Sequence, residues 1–372
     1  MIVQSVESAR EIEDFIRFRW QVYRDHPVWV PPIVADAKRF LAGKGLFFRH
    51  CRSRLFTARE DGKIVATLAV FYDRHLVDHA AIRAGWIGFF EALPGKAEAV
   101  NRLFTEAEAA LREFGAEVVW GPMNGGIANE AGLLANAYNQ PPVFLMGYNP
   151  SYYHAYFRRA GYRPVKELMA YSMDLLDGRL KRKVQFLLRR SARSKIRIRP
   201  FERKRMREES FLLAKIYAAT FRHHWGFAPQ SEEEFYEILA PMKAAIDPEL
   251  ILFAEDDRGP VGFTLVVPDY NPVIRRLDGN LEYLSGLAFL HLKNKIREAR
   301  LIAIGVTPEW RGKGVSSLLM ASVLETLMKK QYIKCEYSWV FRENRASQEM
   351  AEKFDSDYYK RYLVYEKKLG RL

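Results

Sequence analysis

The chain carries two copies of one strand-turn-strand pattern, separated by about half its length. The segment LFTAREDGKIVATLAV at 55–70 aligns with LFAEDDRGPVGFTLVV at 252–267, at a constant offset of 197 residues. Two further pairs keep the same order, YRDHPVWVPP at 23–32 with FRHHWGFAPQ at 221–230, and LMAYSMDL at 168–175 with YLVYEKKL at 362–369. Self-similarity at a long fixed period indicates a duplicated structural unit.

The repeat sets the expected domain limits. We predict a first domain at 1–176, a linker at 177–195 and a second domain at 196–372. A chain of 372 residues has room for two such domains.

Each half alternates strands and helices in the same order. In the second half, the apolar run LIAIGV at 301–306 is typical of a strand buried on both faces. The apolar residues Val315, Leu319, Val323 and Leu327 then follow the spacing of an amphipathic helix. We therefore predict an α+β fold of two tandem domains, each a mixed, mostly antiparallel twisted sheet flanked by helices.

The positive charge is concentrated in one segment. Residues 179–207 contain fourteen Lys and Arg and one acid, Glu202, which gives this segment a net charge of +13, equal to that of the whole chain. A solvated linker and first strand explain such a block, and so does contact with an anionic membrane surface or an RNA. Sequence-specific reading of nucleic acid is not expected, because no aromatic-rich basic strand or zinc spacing accompanies the block.

Cysteine usage indicates a reducing compartment. The chain has two cysteines, Cys51 and Cys335, which argues against a disulfide framework. The first residues, MIVQSVESAREIEDF, lack the apolar core of a signal peptide. We predict a cytoplasmic protein without a metal cofactor.

A glycine-rich turn joins the strand at 301–306 to the helix that follows it. Its residues Arg311, Gly312, Lys313 and Gly314 lie where the first amides of the helix have no intrahelical acceptors. Glycines leave these amides accessible, while the helix dipole and the two basic side chains attract an anion. The turn is suited to a phosphate group, although such a turn also occurs without a ligand.

This segment resembles the pyrophosphate loop of the GNAT superfamily of acyl-CoA-dependent N-acyltransferases. The family pattern is Arg or Gln, two residues, Gly, one residue, then Gly or Ala, and Arg311–Ser316 follows it with Ser316 in the last place. The WVPP, GPMN and YNPSYY segments extend the resemblance to a bacterial tandem-GNAT group of undefined substrate. The resemblance implies that acetyl-CoA or another acyl-CoA binds the second half. Its implied contacts are Ile304, Gly305, Val306, Arg311, Gly312, Lys313, Gly314, Val315, Ser316, Ser317 and Asn344.

The two halves depart from the family in different places. In the second half, Ala351 stands where many members have the tyrosine that protonates the leaving thiolate. In the first half, the corresponding loop LPGKAEAV has no arginine and one glycine, so we expect a degenerate copy that does not hold a pyrophosphate.

Amine acylation needs a base for the attacking nitrogen and an acid for the leaving thiolate. No glutamate lies on 301–306, so we take Glu336 as the candidate base and Tyr358 or Tyr359 as the candidate acid. The expected acceptor-binding residues are His223, His224 and Trp225 in the second half, and Asn124, Asn129 and Tyr153 in the first. Each of these residue types is also common in purely structural positions.

The sequence thus predicts an N-acyltransferase acting from acyl-CoA on a small-molecule or peptide amine, with its active site in the second half. Two alternatives remain. One is an aminoacyl-tRNA-dependent peptide-bond-forming transferase, and the other is a non-catalytic CoA or metabolite sensor. The acceptor, the acyl chain length and the oligomeric state are not determined by the sequence.

Overall fold

A computed structural model describes residues 1–127, 129–191, 194–281 and 291–370. The chain divides into two compact units. Unit 1 comprises Met1–Leu168, Asn271–Lys293 and Lys360–Leu372, and unit 2 comprises Met169–Tyr270 and Asn294–Tyr359.

The described elements alternate strands and helices along the chain. The strands are β1 (Ile2–Ser5), β2 (Cys51–Glu60), β3 (Lys63–Asp73), β4 (Ala84–Ala92), β5 (Val118–Gly121), β6 (Met123–Asn124), β7 (Glu130–Ala131), β8 (Leu133–Leu134), β9 (Arg163–Asp174), β10 (Arg197–Pro200), β11 (Ile251–Asp256), β12 (Gly259–Pro268), β13 (Glu298–Val306), β14 (Lys334–Phe341) and β15 (Asp357–Lys368). The helices are α1 (Ala9–Val22), α2 (Val34–Leu41), α3 (Arg74–Ala80), α4 (Ala97–Phe114), α5 (Tyr153–Arg159), α6 (Gly178–Ser191), α7 (Met206–Phe221), α8 (Glu232–Leu239), α9 (Asn271–Arg276), α10 (Val315–Lys329) and α11 (Arg345–Lys353). Within the described ranges, no helix combines the length and the apolarity that a membrane span requires.

The two units contain sheets of the same strand order. In unit 1 the order is β1, β2, β3, β4, β5 and β15, with parallel pairing between β4 and β5 and antiparallel pairing elsewhere. In unit 2 the order is β10, β11, β12, β13, β14 and β9, antiparallel from β10 to β13 and parallel between β13 and β14. The α+β class and the two-domain architecture predicted from the repeat are therefore confirmed.

The last strand of each sheet comes from the opposite repeat. Unit 1 is completed by β15, which pairs with β5 from Tyr365 opposite Gly121 to Lys368 opposite Val118. Unit 2 is completed by the end of β9, next to β14. The repeats have therefore exchanged their final strands.

The hairpins form where the sequence predicts them. Asp61 and Gly62, at the turn between β2 and β3, have φ angles of 49° and 76°. Positive φ at both central residues is the geometry that two-residue hairpins favour. At the second hairpin, the Asp256 carboxylate accepts hydrogen bonds from the amides of Arg258 and Gly259 at 2.8 and 3.0 Å.

The central strands of unit 2 diverge toward their carboxyl ends. β13 pairs with β14 from Glu298 opposite Lys334 only as far as Leu301 opposite Tyr337. On its other side, β13 stays paired with β12 as far as Val306. The sheet edge at 302–306 that faces β14 therefore opens, next to the glycine-rich turn.

Helices cover both faces of this part of the sheet. A Cβ atom on Gly305 would lie 2.6 Å from Thr220 Cγ2, so α7 packs on the backbone of β13. On the opposite face, a Cβ on Gly262 would lie 3.1 Å from Leu319 Cδ1 of α10. This close packing on both faces explains the continuous apolar run that identifies β13 in the sequence.

The basic segment is more ordered than a linker. Most of 177–195 forms helix α6, which packs on α10 and buries Leu180 and Val184. Two apolar positions one turn apart suffice to dock this helix, and the linker at 177–195 stays a prediction. The domain limits at 176 and 196 stay a prediction.

Candidate functional site

The turn after β13 is built to leave backbone amides accessible. Gly312 and Gly314 have φ angles of 74° and 82°, in the left-handed region that favours glycine. A Cβ atom on either residue would meet no other atom within 4 Å, and residues 311–314 are exposed. The glycines therefore serve the backbone conformation and keep the space over the turn open.

Helix α10 begins at this turn without a side-chain cap. Its N-cap residue is Gly314, which has no side chain to accept from the first amides. The positive end of the helix dipole and these amides together favour an anion.

Three basic side chains surround the start of α10. Arg311 donates a hydrogen bond to the Thr220 carbonyl at 3.1 Å, and the Lys313 ammonium lies 4.9 Å from the ring centroid of Trp310. Lys353 of α11 donates to the Ser317 hydroxyl in the first turn of α10 at 2.7 Å. Lys353 is not marked by any sequence motif, because its approach to this turn depends on how α11 packs.

The other residues implied for the cofactor lie on β13 and at the start of α11. Ile304, Gly305 and Val306 pair with β12 on one edge and face the divergence from β14 on the other. Asn344 is the N-cap of α11, and its side-chain oxygen accepts from the Ser347 amide at 3.1 Å. The structure thus gives Asn344 a capping role, and its contact with the pantetheine arm stays a prediction.

Loss of this cap should lower the stability of the protein measurably. We expect Asn344→Ala to lower the free energy of unfolding by about 1 kcal/mol, because an amide of α11 loses its acceptor. Asn344→Asp keeps an acceptor at the N-cap and should retain most of that stability. Urea denaturation of the two variants and the wild type measures the difference, and equal loss in both variants would contradict capping as the source.

Glu336 and Tyr359 are brought together inside unit 2. The Glu336 side chain is buried, its Oε2 accepts a hydrogen bond from the Tyr359 hydroxyl, and its Oε1 accepts from the Ser338 hydroxyl at 2.5 Å. Arg300, opposite Glu336 on β13, donates to the Ser338 hydroxyl from Nε at 2.9 Å. The four side chains form one connected network of charge-assisted hydrogen bonds.

Tyr358 lies apart from this network. Its side chain is 43% exposed, and its ring lies 6.0 Å from that of Tyr171. Because adjacent residues of a strand point to opposite faces, Tyr358 and Tyr359 do not serve the same site. Of the two candidate acids, only Tyr359 contacts the candidate base.

The residues after α7 lie beside the end of β14. The rings of His224 and Trp225 each lie 6.3 Å from the ring of Phe341, while His223 is exposed. Burial lowers the pKa of His224, and the nearby charges of Arg311 and His223 lower it further. His224 is therefore held toward its neutral form, close to the basic turn.

The first-half candidates make bonds within unit 1. Asn124 accepts from the Phe89 amide at 2.6 Å and donates to the Glu130 carboxylate at 2.7 Å. Asn129 donates to the Gly125 carbonyl at 3.0 Å. Tyr153 is fully buried, so an acceptor could contact it only after the surrounding residues had rearranged.

Glu91 is a buried acid that is not among the residues predicted from the sequence, and it accepts a hydrogen bond from Tyr153. The hydroxyls of Tyr23 and Tyr153 each donate to its Oε2 at 2.8 Å, and Arg19 Nε lies 3.1 Å from its Oε1. Burial raises the pKa of the Glu91 carboxyl, while Arg19 and the two hydroxyls oppose that rise. A lone acid within the otherwise apolar strand 84–92 is the sequence signal that marks it.

In unit 1, tyrosines cover the end of β4, the strand that corresponds to β13 of unit 2. The Tyr153 oxygen accepts from the Ala92 amide at 2.9 Å, and Tyr152 donates to the Ala92 carbonyl at 2.7 Å. Tyr156 accepts from the Lys96 amide at 3.0 Å and donates to the Leu93 carbonyl at 2.7 Å. In unit 2 the corresponding helix, α11, contains no tyrosine. The end of β4 and the turn before α4 are therefore engaged by the protein's own side chains.

One cluster in unit 1 has the residue types of a metal site. Donor atoms of His50, Asp73 and His75 lie within 4.8 Å of one another. The two imidazole rings are stacked, with centroids 3.7 Å apart and planes at 9°, and His50 Nδ1 lies 2.7 Å from Asp73 Oδ1. An ion bound in the plane of one ring would lie out of the plane of the other, so the two rings are poorly placed to ligate the same ion. The geometry of His50 and Asp73 is that of a hydrogen-bonded pair. The absence of a metal cofactor stays a prediction.

Sequence comparisons identify the class of protein that this site belongs to. Residues 212–355 match the model of the acetyltransferase (GNAT) family. The bacterial ceramide synthase of Caulobacter vibrioides is 30% identical over 98% of this chain and 96% of its own length. Protein YghO of Escherichia coli K12 is 28% identical over 99% of this chain and 95% of its own length. The chain belongs to the GNAT acetyltransferase family, whose members use acyl-CoA as co-substrate.

Solved structures show the same architecture. A tandem GNAT protein from the clavulanic acid biosynthesis pathway has a TM-score of 0.61 at 12% identity, with full coverage of both chains. A GCN5-related N-acetyltransferase from Sphaerobacter thermophilus has a TM-score of 0.54 at 14% identity, covering 99% of this chain and 95% of its own. Likeness at this level of identity establishes the tandem fold and does not extend to substrates.

Proposed function

We propose that this protein is an N-acyltransferase that moves an acyl group from acyl-CoA to an amine, with its active site in unit 2. The observation that carries the proposal is the turn at 311–314, where two left-handed glycines leave the start of α10 open and basic side chains surround it. The pyrophosphate would lie on residues 311–317, and the pantetheine arm would extend along 304–306, where β13 has no pairing with β14.

The acylation comprises three events that the protein must assist. The amine nitrogen attacks the thioester carbonyl, the nitrogen loses a proton, and the CoA thiolate leaves and takes up a proton. We assign the proton acceptor to Glu336 and the donor role to Tyr359, because their direct hydrogen bond lets a proton pass between them. Backbone amides of β13 at the divergence would stabilise the developing oxyanion.

For the acceptor, we propose a long-chain amino alcohol. The support is the relative named bacterial ceramide synthase, which aligns over nearly the whole of both chains. A ceramide is the amide of such an amino alcohol with a fatty acid, so the nucleophile would be a primary amine and the donor a long-chain acyl-CoA. His224 and Trp225 beside Phe341 would border the amine near the divergent strands.

A non-catalytic acyl-CoA sensor is the second candidate. It is favoured by Ala351, which is fully buried where many family members have the acidic tyrosine, and by the internal bonding of Glu336. The aminoacyl-tRNA-dependent alternative has no comparable support, since a turn suited to pyrophosphate has no use in a transferase that takes its donor from tRNA.

Release of free CoA thiol tests the proposal. We expect the purified protein to release CoA from palmitoyl-CoA when sphinganine is present, and to do so more slowly from acetyl-CoA or with a mixture of polyamines. Mass spectrometry of the product should show the amide. Binding of acyl-CoA without amine-dependent CoA release would contradict the enzyme and support the sensor, while polyamine acylation would replace the acceptor class and leave the reaction type standing.

A further inference from the structure

Helix α6 presents a strongly basic outer face. Its fourteen residues include six Lys and Arg and no acid. Arg179, Arg182, Arg189 and Arg190 are exposed, and the last three follow Arg179 by three, ten and eleven residues, which at 3.6 residues per turn keeps all four on one side of the helix. From Arg179 to Arg190 the helix extends by about 16 Å at the standard rise per residue.

Two large apolar side chains stand exposed among these arginines. Phe186 is 61% exposed and lies four residues after Arg182. Leu176, just before the helix, is 72% exposed. Phe and Leu beside basic residues on a surface helix are the combination that suits the headgroup boundary of a membrane.

The inner face of α6 fixes the orientation of this surface. Leu180 and Val184 are almost fully buried against α10, and Lys183 pairs with Asp355 at 2.6 Å. Among the residues that the structure describes, Lys183 is the only basic residue of α6 with an acidic partner within 4 Å. The arginines of the outer face are therefore held outward by packing and are not neutralised by the protein.

The later part of the basic segment is used differently. Arg199 is largely buried and pairs with Glu209 at 2.7 Å and Glu255 at 2.6 Å, and Arg203 donates to the Ile246 carbonyl. These charges hold β10 and its neighbours in place. Lys195, Arg197, Lys204, Arg205 and Arg207 of this later part are exposed as well, but no large apolar side chain among residues 194–207 is exposed beside them.

We propose that the outer face of α6, formed by Arg179, Arg182, Phe186, Arg189 and Arg190, docks onto an anionic lipid bilayer together with Leu176 just before the helix. Arginines attract the negatively charged headgroups, and their apolar stems together with Phe186 and Leu176 reach into the boundary between headgroups and acyl chains. RNA would satisfy the arginines but would leave Leu176, an aliphatic side chain that cannot stack on a base, exposed to water. The proposal rests on α6 alone and does not depend on the acceptor or on catalysis.

Sedimentation of the full-length protein with sucrose-loaded vesicles tests the docking. Vesicles of phosphatidylcholine with phosphatidylglycerol should bind the protein, and vesicles of phosphatidylcholine alone should not. Arg182→Gln together with Arg189→Gln should lower the partition coefficient roughly 25-fold, since each basic residue near an anionic surface contributes about fivefold. Phe186→Ser should lower it about tenfold, because insertion of the ring is lost.

Matched variants on other exposed positions of unit 2 serve as controls. Lys243→Gln together with Arg258→Gln removes the same charge, and Ile238→Ser removes an apolar side chain that is 51% exposed. Both controls should bind vesicles like the wild type, and circular dichroism should show every variant folded. Equal losses in test and control variants would overturn the proposal. Binding of short single-stranded RNA without binding of the anionic vesicles would overturn it in favour of a nucleic-acid contact.

Discussion

Gly314→Asp is expected to abolish acyl-CoA binding, with at least about a hundredfold loss of affinity. The variant places a carboxylate where the pyrophosphate would approach, beside the start of α10. Aspartate accepts hydrogen bonds from the first amides of a helix, so the new side chain competes for the same donors as the phosphate. It also tolerates the left-handed φ of 82° better than most residues, so the turn should survive. Isothermal titration calorimetry with acetyl-CoA or CoA measures the effect.

A glycine in unit 1 supplies the matched control. Gly95 lies in the turn before α4 and has a φ of 76°, and a Cβ atom on it would likewise meet no other atom within 4 Å. Gly95→Asp therefore adds the same charge in the same conformation, and should leave acyl-CoA binding unchanged. Arg311→Ala should weaken binding by about tenfold to a hundredfold, as loss of one charged contact does. Loss of binding in Gly95→Asp with binding retained in Gly314→Asp would show that unit 1, and not unit 2, holds the cofactor.

Glu336→Gln is expected to lower turnover by at least about tenfold while acyl-CoA affinity stays the same, because loss of a general base acts on the chemical step alone. The amide has the shape of the carboxylate, and its oxygen can still accept from the Ser338 hydroxyl. The fold of unit 2 should therefore be retained. Amine-dependent release of CoA under saturating donor gives the turnover, and titration of acyl-CoA gives the affinity.

Two further variants separate catalysis from packing. Tyr359→Phe removes the hydroxyl that donates to Glu336 and should also slow turnover. Glu349→Gln removes an exposed acid of α11 and should have no effect. If Glu336→Gln turns over like the wild type, Glu336 has no part in the reaction. If it loses acyl-CoA affinity and thermal stability together, its role is to hold β13 and β14 in place.

Local patterns of the sequence predict the elements that surround the site. The alternation around Gly62 and Gly259 gives both hairpins, and the apolar run at 301–306 gives β13. The glycines at 312 and 314 predict an accessible turn at the start of a helix, and the structure has residues 311–314 exposed immediately before α10. These features depend on residues close together in the chain, where periodicity and turn chemistry act directly.

Features that depend on distant residues are not predictable in the same way. Glu91 is bonded by Tyr23 and Tyr153, which are 68 and 62 residues away from it in the chain. The contact between Lys353 and Ser317 depends on the packing of α11 beside α10. The sequence predicts a linker where the structure has helix α6. The many charged residues make the mean hydropathy of this segment low, and the two residues that dock the helix, Leu180 and Val184, are too few to raise it.

The exchange of final strands determines when each sheet can be finished. Residues 357–368 leave the ribosome after the whole of the first repeat, yet they supply the strand that covers the edge of β5. During synthesis, the sheet of unit 1 therefore waits with unsatisfied backbone groups on β5 until the second repeat has emerged. An open edge is a site for wrong pairing between chains. A gene cut between the repeats would leave each product without the strand that closes its sheet in the full-length protein.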